Sequence, residues 1–276
     1  MTVIALASVA GAPGVTTVAS ALAVHWRRPV LLIEADNRAV STMMPGFFRA
    51  NLLPSDGGIE KLAFAASRNV LEVEDLLSPA FRISIAMHEL QPTLERPIPV
   101  IPDGHKMWVI PGFVNLAVAD GVHGLWAKLP RLLVELGDAG IDVIIDLGHL
   151  SVDDSRLAII DTADRVLLGM SSTMIDLNRA HRRLQLPDLA TRTRALAGER
   201  YWILLNTPAA QGVPARDFST HLIPVIGTLP FDPSGAAVFS HGQPDSKPSR
   251  NGYRSAIRRL VQDLLSLSTR DQRSVS

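Results

Sequence analysis

The sequence predicts an α/β protein: a single domain with a doubly wound, mostly parallel sheet and helices on both of its faces. Apolar runs of strand length alternate along the chain with amphipathic stretches of helix length. These runs are almost continuously apolar, as are the strands of a parallel sheet that helices cover on both faces. A chain of 276 residues that is 47% hydrophobic and 20% charged is long enough to bury one large core.

The composition excludes several classes of protein. The apolar content is too high for a disordered chain, and no window approaches 18 uncharged apolar residues, so no transmembrane helix is expected. The N-terminus lacks the basic region of a signal peptide. The absence of cysteine excludes disulfides and thiol catalysis and fits a reducing compartment. Because 27 basic residues balance 27 acidic ones, only a local patch could bind a polyanion.

The predicted elements alternate along most of the chain. Strands are predicted at Val3–Val9, Val30–Glu34, Met107–Ile110, Asp142–Leu147, Arg165–Gly169, Tyr201–Leu205 and Val225–Leu229. Helices are predicted at Val15–Trp26, at Leu125–Leu136, which Gly137 and Gly140 terminate, and at Ser255–Leu267, where apolar residues recur every three or four positions.

Two stretches interrupt this alternation. Residues 37–105 contain short helical pieces and a proline-rich run, which predicts a helical excursion followed by an extended connection. Residues 207–221 predict a polar loop. We expect one domain over residues 1–268 and a disordered polar tail over residues 269–276.

The junction between the first strand and the first helix contains Gly11 and Gly14. A glycine-rich turn at this place directs backbone N–H groups inward and, with the positive end of the helix, forms a nest for phosphate. A full P-loop ends in Gly-Lys-Ser/Thr. Here Thr16 stands in the hydroxyl position and Val15 in the lysine position, so a tight structural turn with Thr16 as a helix cap remains an alternative.

Carboxylates follow two predicted strands, at the sheet edge where such folds bind ligands. Asp146 follows four apolar residues, and because a buried carboxylate needs a partner, a site role is favoured for it. Asp36 is a candidate for the same site, although the pair Asp36-Asn37 is also typical of a turn. Glu34 is at least as well explained by structural pairing, and His149 is expected to be a solvated loop residue.

Together these pieces resemble the MinD/ParA family of P-loop ATPases over nearly the whole chain. Residues 10–17, Ala-Gly-Ala-Pro-Gly-Val-Thr-Thr, match the family's loop Lys-Gly-Gly-x-Gly-Lys-Thr-Thr. The family's Asp-x-Asp motif, Walker B strand and later strand ends are matched by residues 34–36, 143–148, 163–168, 204–206 and 225–232. The resemblance implies the deviant P-loop fold of that family.

The resemblance also implies that the chain binds ATP and Mg²⁺. The positions that it assigns to nucleotide binding are Gly11, Ala12, Pro13, Gly14, Val15, Thr16, Thr17, Asn206 and Pro230. Mg²⁺ would be held through Thr16, Asp36 and Asp146. Asp36 would also be the catalytic residue, which orients the attacking water.

Both lysines of the family's loop are missing, and Ala10 and Val15 stand in their places. Because a charge-assisted contact to phosphate contributes about 1.5–3 kcal/mol, ATP binding should weaken roughly 10- to 100-fold. Phosphoryl transfer depends on cationic groups, so we expect slow or no hydrolysis unless an arginine is supplied from elsewhere. The missing lysines narrow the resemblance to the CpaE/TadZ-like pilus-positioning and BcsQ-like cellulose-secretion relatives.

Three functions remain open. The first is a bacterial cytoplasmic hub that binds nucleotide, forms a homodimer and recruits protein partners to a pilus, secretion or polysaccharide apparatus, at a pole or at a membrane-bound machine. The second is an active ParA-type ATPase that partitions DNA. The third is a dimeric scaffold that binds no nucleotide. Membrane attachment is not expected, because the apolar stripe of the last helix is needed for packing.

The arginines bear on the second function. One cluster comprises Arg179, Arg182, Arg183, Arg192, Arg194 and Arg200, and the closing helix and tail add Arg254, Arg258, Arg259, Arg270 and Arg273. Such a patch could bind DNA non-specifically through phosphate contacts, and the alternative is a solvated helix face. A steep salt dependence of binding would distinguish the two.

Overall fold

Parallel strands form the centre of the fold. The computed structural model describes residues 2–11, 14–49, 53–54, 56–68, 71–90, 101–245 and 251–274. The strands in these ranges are β1 (Val3–Ser8), β2 (Val30–Glu34), β3 (Ile85–Ala86), β4 (Met107–Ile110), β5 (Asp142–His149), β6 (Arg165–Ser171), β7 (Tyr201–Asn206) and β8 (Val225–Leu229).

Within the described residues, these strands form one sheet in the order β3-β4-β2-β5-β1-β6-β7-β8. All neighbouring strands pair in parallel except β3 and β4, which are antiparallel. Asp146 of β5 lies opposite Leu6 of β1 on one side and Glu34 of β2 on the other. The predicted mostly parallel sheet is confirmed, and its central crevice lies at the carboxyl end of β1.

Helices connect the strands. They are α1 (Val15–His25), α2 (Gly58–Ser67), α3 (Val73–Leu77), α4 (Leu116–Gly121), α5 (His123–Asp138), α6 (Leu157–Thr162), α7 (Met174–Arg183), α8 (Pro187–Ala195), α9 (Ala215–His221), α10 (Pro233–Ser240) and α11 (Gly252–Ser274). Single turns of π-helix (Met43–Phe47) and 3₁₀-helix (Pro79–Phe81 and Met87–Glu89) add to these.

Side chains of β1 alternate between two cores, as the period of a strand requires. Ala5 and Ala7 join the core that α2 to α9 contribute to. Ile4 and Leu6 join the core formed with α1, α10 and α11. Both faces of the sheet are therefore covered, which confirms the predicted doubly wound architecture.

The sequence predicts three irregular segments, and the structure shows regular elements in each of them. The prediction of a polar loop over residues 207–221 is wrong for its second half, because Phe218 is fully buried and anchors α9 to the core. The excursion at 37–105 contains α2, α3 and the edge strand β3, and its proline-rich part at 91–100 lies outside the described residues. Helix α11 continues from Ser268 to Ser274, over part of the predicted tail, and the division of the chain at residue 268 stays a prediction.

Candidate functional site

The described part of the loop between β1 and α1 contains two glycines with positive φ angles. Gly14 is in the left-handed region with φ 69°, and Gly11 has φ 136°, a value that L side chains rarely adopt. Gly14 is also the N-cap of α1, so no side chain caps this helix, and its first turn contains no acidic residue. The positive end of α1 is thus available to an anion. Ala12 and Pro13 lie outside the described residues.

Thr16 and Thr17 occupy the first turn of α1, and both are half-buried. Since Gly14 is the N-cap, the alternative role of Thr16 as a helix cap is excluded. The Thr16 hydroxyl is close enough to the Asp146 carboxyl to lower its pKa, against the larger effect of burial. The strand β5 and the helix α1 therefore bring together two of the three predicted metal ligands.

Val15 and Ala10, at the two lysine positions, are both buried in the hydrophobic cores. A methyl group of Val15 lies 3.2 Å from the point where a Cβ would stand on Gly169. Val15 and Asn206 also line a small gap of about 10 Å³ between α1 and β7. Position 15 can therefore offer a phosphate only its backbone N–H group.

Asp146 is the most deeply buried acid of the site. Its Oδ1 accepts a hydrogen bond from the backbone N–H of Gly148 at 2.9 Å, and its Oδ2 is buried without a hydrogen-bond partner. Burial, reinforced by the charges of Glu34 and Asp36, raises the pKa of Asp146 to about 7. An acid in this state is a ready ligand for a cation, which would lower that pKa again.

Asp36 approaches the same place from the end of β2. Its Oδ1 accepts from the N–H of Arg38 at 2.9 Å, so it does form the turn that its sequence context predicts. Its Oδ2 lies 2.0 Å from the point where a Cβ would stand on Gly148, which has φ 55°. Burial raises the pKa of Asp36, while the Arg38 N–H and Arg156 act in the opposite direction. Only a glycine at position 148 leaves room for this carboxylate.

Glu34 has a structural role. Its Oε2 accepts from the hydroxyl of Ser41 at 2.5 Å and from the N–H of Gly112 at 2.9 Å. Its Oε1 accepts from the N–H groups of Thr42 at 2.8 Å and Met43 at 3.2 Å. Both carboxylate oxygens are thus used to join the segments that follow β2 and β4.

Arg156 is the site-adjacent residue that the sequence did not reveal. Its side chain is fully buried and forms an ion pair with Asp154 at 2.7 Å. The same guanidinium donates to the backbone carbonyls of Ala35 at 3.0 Å, of Leu147 and of His149 at 2.9 Å. No local pattern marks this arginine, because the contact that joins it to the end of β2 is made with Ala35, 121 positions away.

The remaining predicted residues lie along the same edge of the sheet. Asn206 ends β7, and its carbonyl accepts from the N–H of Ser172 at 2.9 Å. Pro230 follows β8 and is exposed. His149 is the last residue of β5 and is half-buried, so the expectation of a solvated loop residue is wrong. Burial and the neighbouring charge of Arg38 lower its pKa.

Much of the arginine cluster is used inside the fold. Arg183 forms a two-bond ion pair with Asp188, both bonds at 2.7 Å, and Arg192 forms one with Asp161 at 2.6 and 2.7 Å. Arg200 donates to a backbone carbonyl of α6 at 2.8 Å. Three of the six arginines of this cluster thus serve tertiary contacts, a role that differs both from a DNA-binding patch and from a solvated helix face.

A metal ion bound by the described residues would need ligands from outside them. These residues contain no group of three or more His, Asp or Glu side chains that could hold a metal ion by themselves. Among the same residues, no helix is both long enough and apolar enough to span a membrane.

The structure is similar to those of several solved ATPases. A ParA family ATPase from Chlorobium tepidum TLS is 14% identical with a TM-score of 0.64, over 95% of this chain and 97% of that chain. The septum site-determining protein MinD from Pyrococcus horikoshii OT3, complexed with Mg-ADP, is 17% identical with a TM-score of 0.63, over 97% of each chain. An ATP complex of a McdA variant from Cyanothece is 17% identical with a TM-score of 0.61, over 97% of this chain and 96% of that chain.

No protein-family model and no curated protein matches the chain. The likeness to the solved structures shows the fold: the chain has the fold of the ParA and MinD ATPases. This confirms the predicted fold and the resemblance on which it rests. The narrower resemblance to the CpaE/TadZ-like and BcsQ-like relatives stays a prediction.

Proposed function

We propose that this chain, with the fold of the ParA and MinD ATPases, binds ATP and Mg²⁺ at the β1–α1 loop and hydrolyses ATP slowly or not at all. One observation about Asp146 carries this proposal. Its carboxyl group is buried close to Thr16, and its Oδ2 has no hydrogen-bond partner. A buried carboxylate oxygen is costly unless a cation or a donor satisfies it. The positive end of α1, available to an anion, begins at the same place.

The residues present fit Mg²⁺ with a nucleotide. Thr16, Asp36 and Asp146 supply the oxygen ligands that Mg²⁺ prefers, with water and phosphate oxygens as further ligands. Gly11 and Gly14 shape a backbone nest for the phosphates, and Asn206 and Pro230 are proposed to lie beside the base. Two similar solved structures hold Mg-ADP and ATP, which supports this assignment. When bound, Mg²⁺ would offset the charge of the phosphates and of the two aspartates.

Slow hydrolysis follows from the charges of the loop. Val15 and Ala10 supply no cation, and all five N–H donors of Arg156 are engaged within the chain. The transition state of phosphoryl transfer carries negative charge that cationic groups normally stabilise. Asp36 would orient water at this site, with Mg²⁺ as the principal counter-charge.

We further propose that the chain forms a homodimer and acts as a positioning or assembly hub for a pilus, secretion or polysaccharide apparatus. Exposed apolar side chains follow the carboxyl ends of the strands, at the edge that would hold the nucleotide. They are Val40, Val114, Leu116, Val152, Met174, Ile175 and Phe231. Apolar side chains exposed along one edge are typical of an interaction surface. The proposed location is the bacterial cytoplasm, with recruitment to a pole or to a membrane-bound machine.

Calorimetry with Mg-ATP and Mg-ADP tests nucleotide binding. We expect micromolar binding by the wild type and a loss of roughly 10-fold or more in Thr16→Ala, because an oxygen ligand of Mg²⁺ is removed. Thr220→Ala is the matched control, since Thr220 is exposed and bonds only the Arg216 carbonyl of its own helix. Absence of heat with either nucleotide at millimolar concentration would rule the proposal out.

A second candidate function is a dimeric scaffold that binds no nucleotide, and the burial of Val15 at the lysine position favours it. In that case the exposed apolar edge alone would hold the dimer together. Light scattering with and without Mg-ATP separates the two functions. A dimer that requires Mg-ATP supports the nucleotide-dependent hub, whereas a dimer of equal stability without nucleotide supports the scaffold.

A further inference from the structure

One guanidinium connects the ends of the two strands that present the site's aspartates. The Arg156 side chain donates through Nε to Asp154 Oδ1 at 2.8 Å and through Nη2 to Asp154 Oδ2 at 2.7 Å. Its Nη1 donates to the carbonyls of Ala35 and Leu147, and its Nη2 also donates to the carbonyl of His149. Every N–H of this side chain is therefore used, and none is directed to solvent.

The positions of the accepting carbonyls determine what this contact does. Ala35 directly precedes Asp36, and Leu147 directly follows Asp146. The backbone N–H of Ala35 also donates to the carbonyl of Asp146 at 2.7 Å. A rigid planar group that binds both carbonyls fixes the distance between the ends of β2 and β5, and with it the spacing of the two carboxylates.

The ion pair holds the guanidinium itself in place. Asp154 Oδ2 accepts from the N–H of Ser151 at 3.0 Å, and its Oδ1 accepts from the N–H of Arg156 at 3.0 Å. Asp154 is thus fixed to the turn that begins α6, and the arginine extends from this turn to the carbonyls at the ends of β2 and β5. Arg156 thus resembles the groups around a metal site that do not bind the metal themselves but orient the residues that do.

We propose that Arg156 is a positioning residue, which sets the spacing of Asp36 and Asp146 for Mg²⁺ and nucleotide. The inference rests on the proposed function, but its first consequence does not require a nucleotide. Arg156 touches neither carboxylate and contributes through the backbone on which they stand. Lysine at this position would keep the charge but offers three N–H donors on a single nitrogen in place of a planar fork of five.

Hydrogen exchange of two amides tests the positioning role without ligand. The N–H of Arg38 donates to Asp36, and the N–H of Gly148 donates to Asp146, each at 2.9 Å. In Arg156→Lys we expect both amides to exchange at least about 10-fold faster than in the wild type, because the strand ends separate more often. The exchange of amides in β8, at the far end of the sheet, should not change.

Nucleotide binding supplies the second readout. We expect the gain in ADP affinity that Mg²⁺ provides to fall about 10-fold in Arg156→Lys, while the affinity measured in EDTA stays unchanged. A general loss of structure would instead lower both affinities. Arg28→Lys is the matched control, because Arg28 pairs with Asp142 at 2.6 Å at the opposite end of β5. This control should leave both amides and the effect of Mg²⁺ as in the wild type.

The outcomes are distinguishable. If Arg156→Lys folds and both amides exchange at the wild-type rate, the positioning role is wrong. If it does not fold, Asp154→Asn replaces it, and unchanged exchange in that variant is equally decisive. Faster exchange in a chain whose wild type binds no nucleotide would support the positioning role and contradict the proposed function instead.

Discussion

At the scale of single residues, the site depends on the close approach of Asp36 to Gly148. The carboxylate of Asp36 occupies the space that any side chain at position 148 would need. Gly148 also has a left-handed backbone, which is unfavourable for other residues. The two requirements can be tested separately, because Gly140 has a left-handed backbone but open space where a side chain would stand.

We predict that Gly148→Ala displaces Asp36 and weakens Mg²⁺-dependent nucleotide binding roughly 10- to 100-fold. Gly140→Ala is the control, since Gly140 has φ 75° but no atom within 4 Å of an added Cβ. Both variants should lose about 1–2 kcal/mol of stability from backbone strain. Calorimetry and thermal unfolding measure the two effects. Equal affinities in the two variants would show that the displacement of Asp36 has no functional consequence.

The protonation of Asp146 gives a prediction about pH. Burial raises the pKa of Asp146 from 3.8 to about 7 in the folded chain. Between these values the folded state keeps a proton that the unfolded state has lost, so the contribution of Asp146 to stability falls as the pH rises. Asp146→Asn cannot ionise, so it should gain about 2–3 kcal/mol relative to the wild type between pH 5 and pH 8.

Urea unfolding of both proteins at pH 5 and pH 8 measures this difference. The lowered pKa of His25, about 4, acts in the opposite direction, because the stability it contributes is lost as the pH falls. The comparison with Asp146→Asn cancels this effect, since His25 is present in both proteins. Parallel pH profiles would contradict the raised pKa.

At the scale of elements, Glu34 connects the sheet to the segments around it. Because β2 and β4 are neighbours in the sheet, the residues after each strand can share one carboxylate. Glu34 accepts from donors on both, and it is almost fully buried. Glu34, which matches the first position of the family's Asp-x-Asp motif, is therefore a structural link.

We predict that Glu34→Gln lowers stability by about 2–4 kcal/mol. The amide NH₂ would face N–H or O–H donors, and buried groups would be left without acceptors. The control is Glu60→Gln, because Glu60 accepts two backbone N–H groups, of Val114 and Asn115, at the surface. Its loss should stay below about 1 kcal/mol. Urea unfolding measures the stability of both variants. Equal losses of stability would mean that burial does not increase the cost of replacing Glu34.

At the scale of the whole molecule, the exposed apolar side chains are concentrated along the carboxyl edge of the sheet. Ile175, at the start of α7, is 65% exposed, and Val134, on α5, is 53% exposed. Ile175 follows the carboxyl end of β6, whereas Val134 precedes the amino end of β5. The two side chains thus offer similar chemistry at opposite edges.

We predict that Ile175→Glu abolishes the dimer that we propose to form with Mg-ATP, because a charge would be buried without a partner in the interface. Val134→Glu should dimerise as the wild type does. Light scattering at several protein concentrations provides the measurement. If Val134→Glu were the variant that stays monomeric, the interface would have to lie elsewhere on the molecule.

Local patterns in the sequence were enough to predict a mostly parallel sheet, its central strands and the edge at which the site lies. Strand and helix periods are local, so four apolar residues before Asp146 suffice to place this acid at the end of a buried strand. Gly11 and Gly14 likewise mark the turn before α1 from the local sequence, and both have positive φ angles. Helices α4, α6, α7, α8 and α10 and the edge strand β3 were not predicted, and α9 was expected to be part of a loop.

Which of the predicted residues contact one another depends on the folded chain. Arg156 binds a carbonyl 121 positions away, and Glu34 binds an N–H 78 positions away, so no local pattern could reveal either contact. The burial of Val15 depends in the same way on Gly169 of a distant strand. Hydrogen-bond partners and packing neighbours depend on which distant segments the fold brings together. The strand and helix periods of two and 3.6 residues contain no information about these long-range contacts.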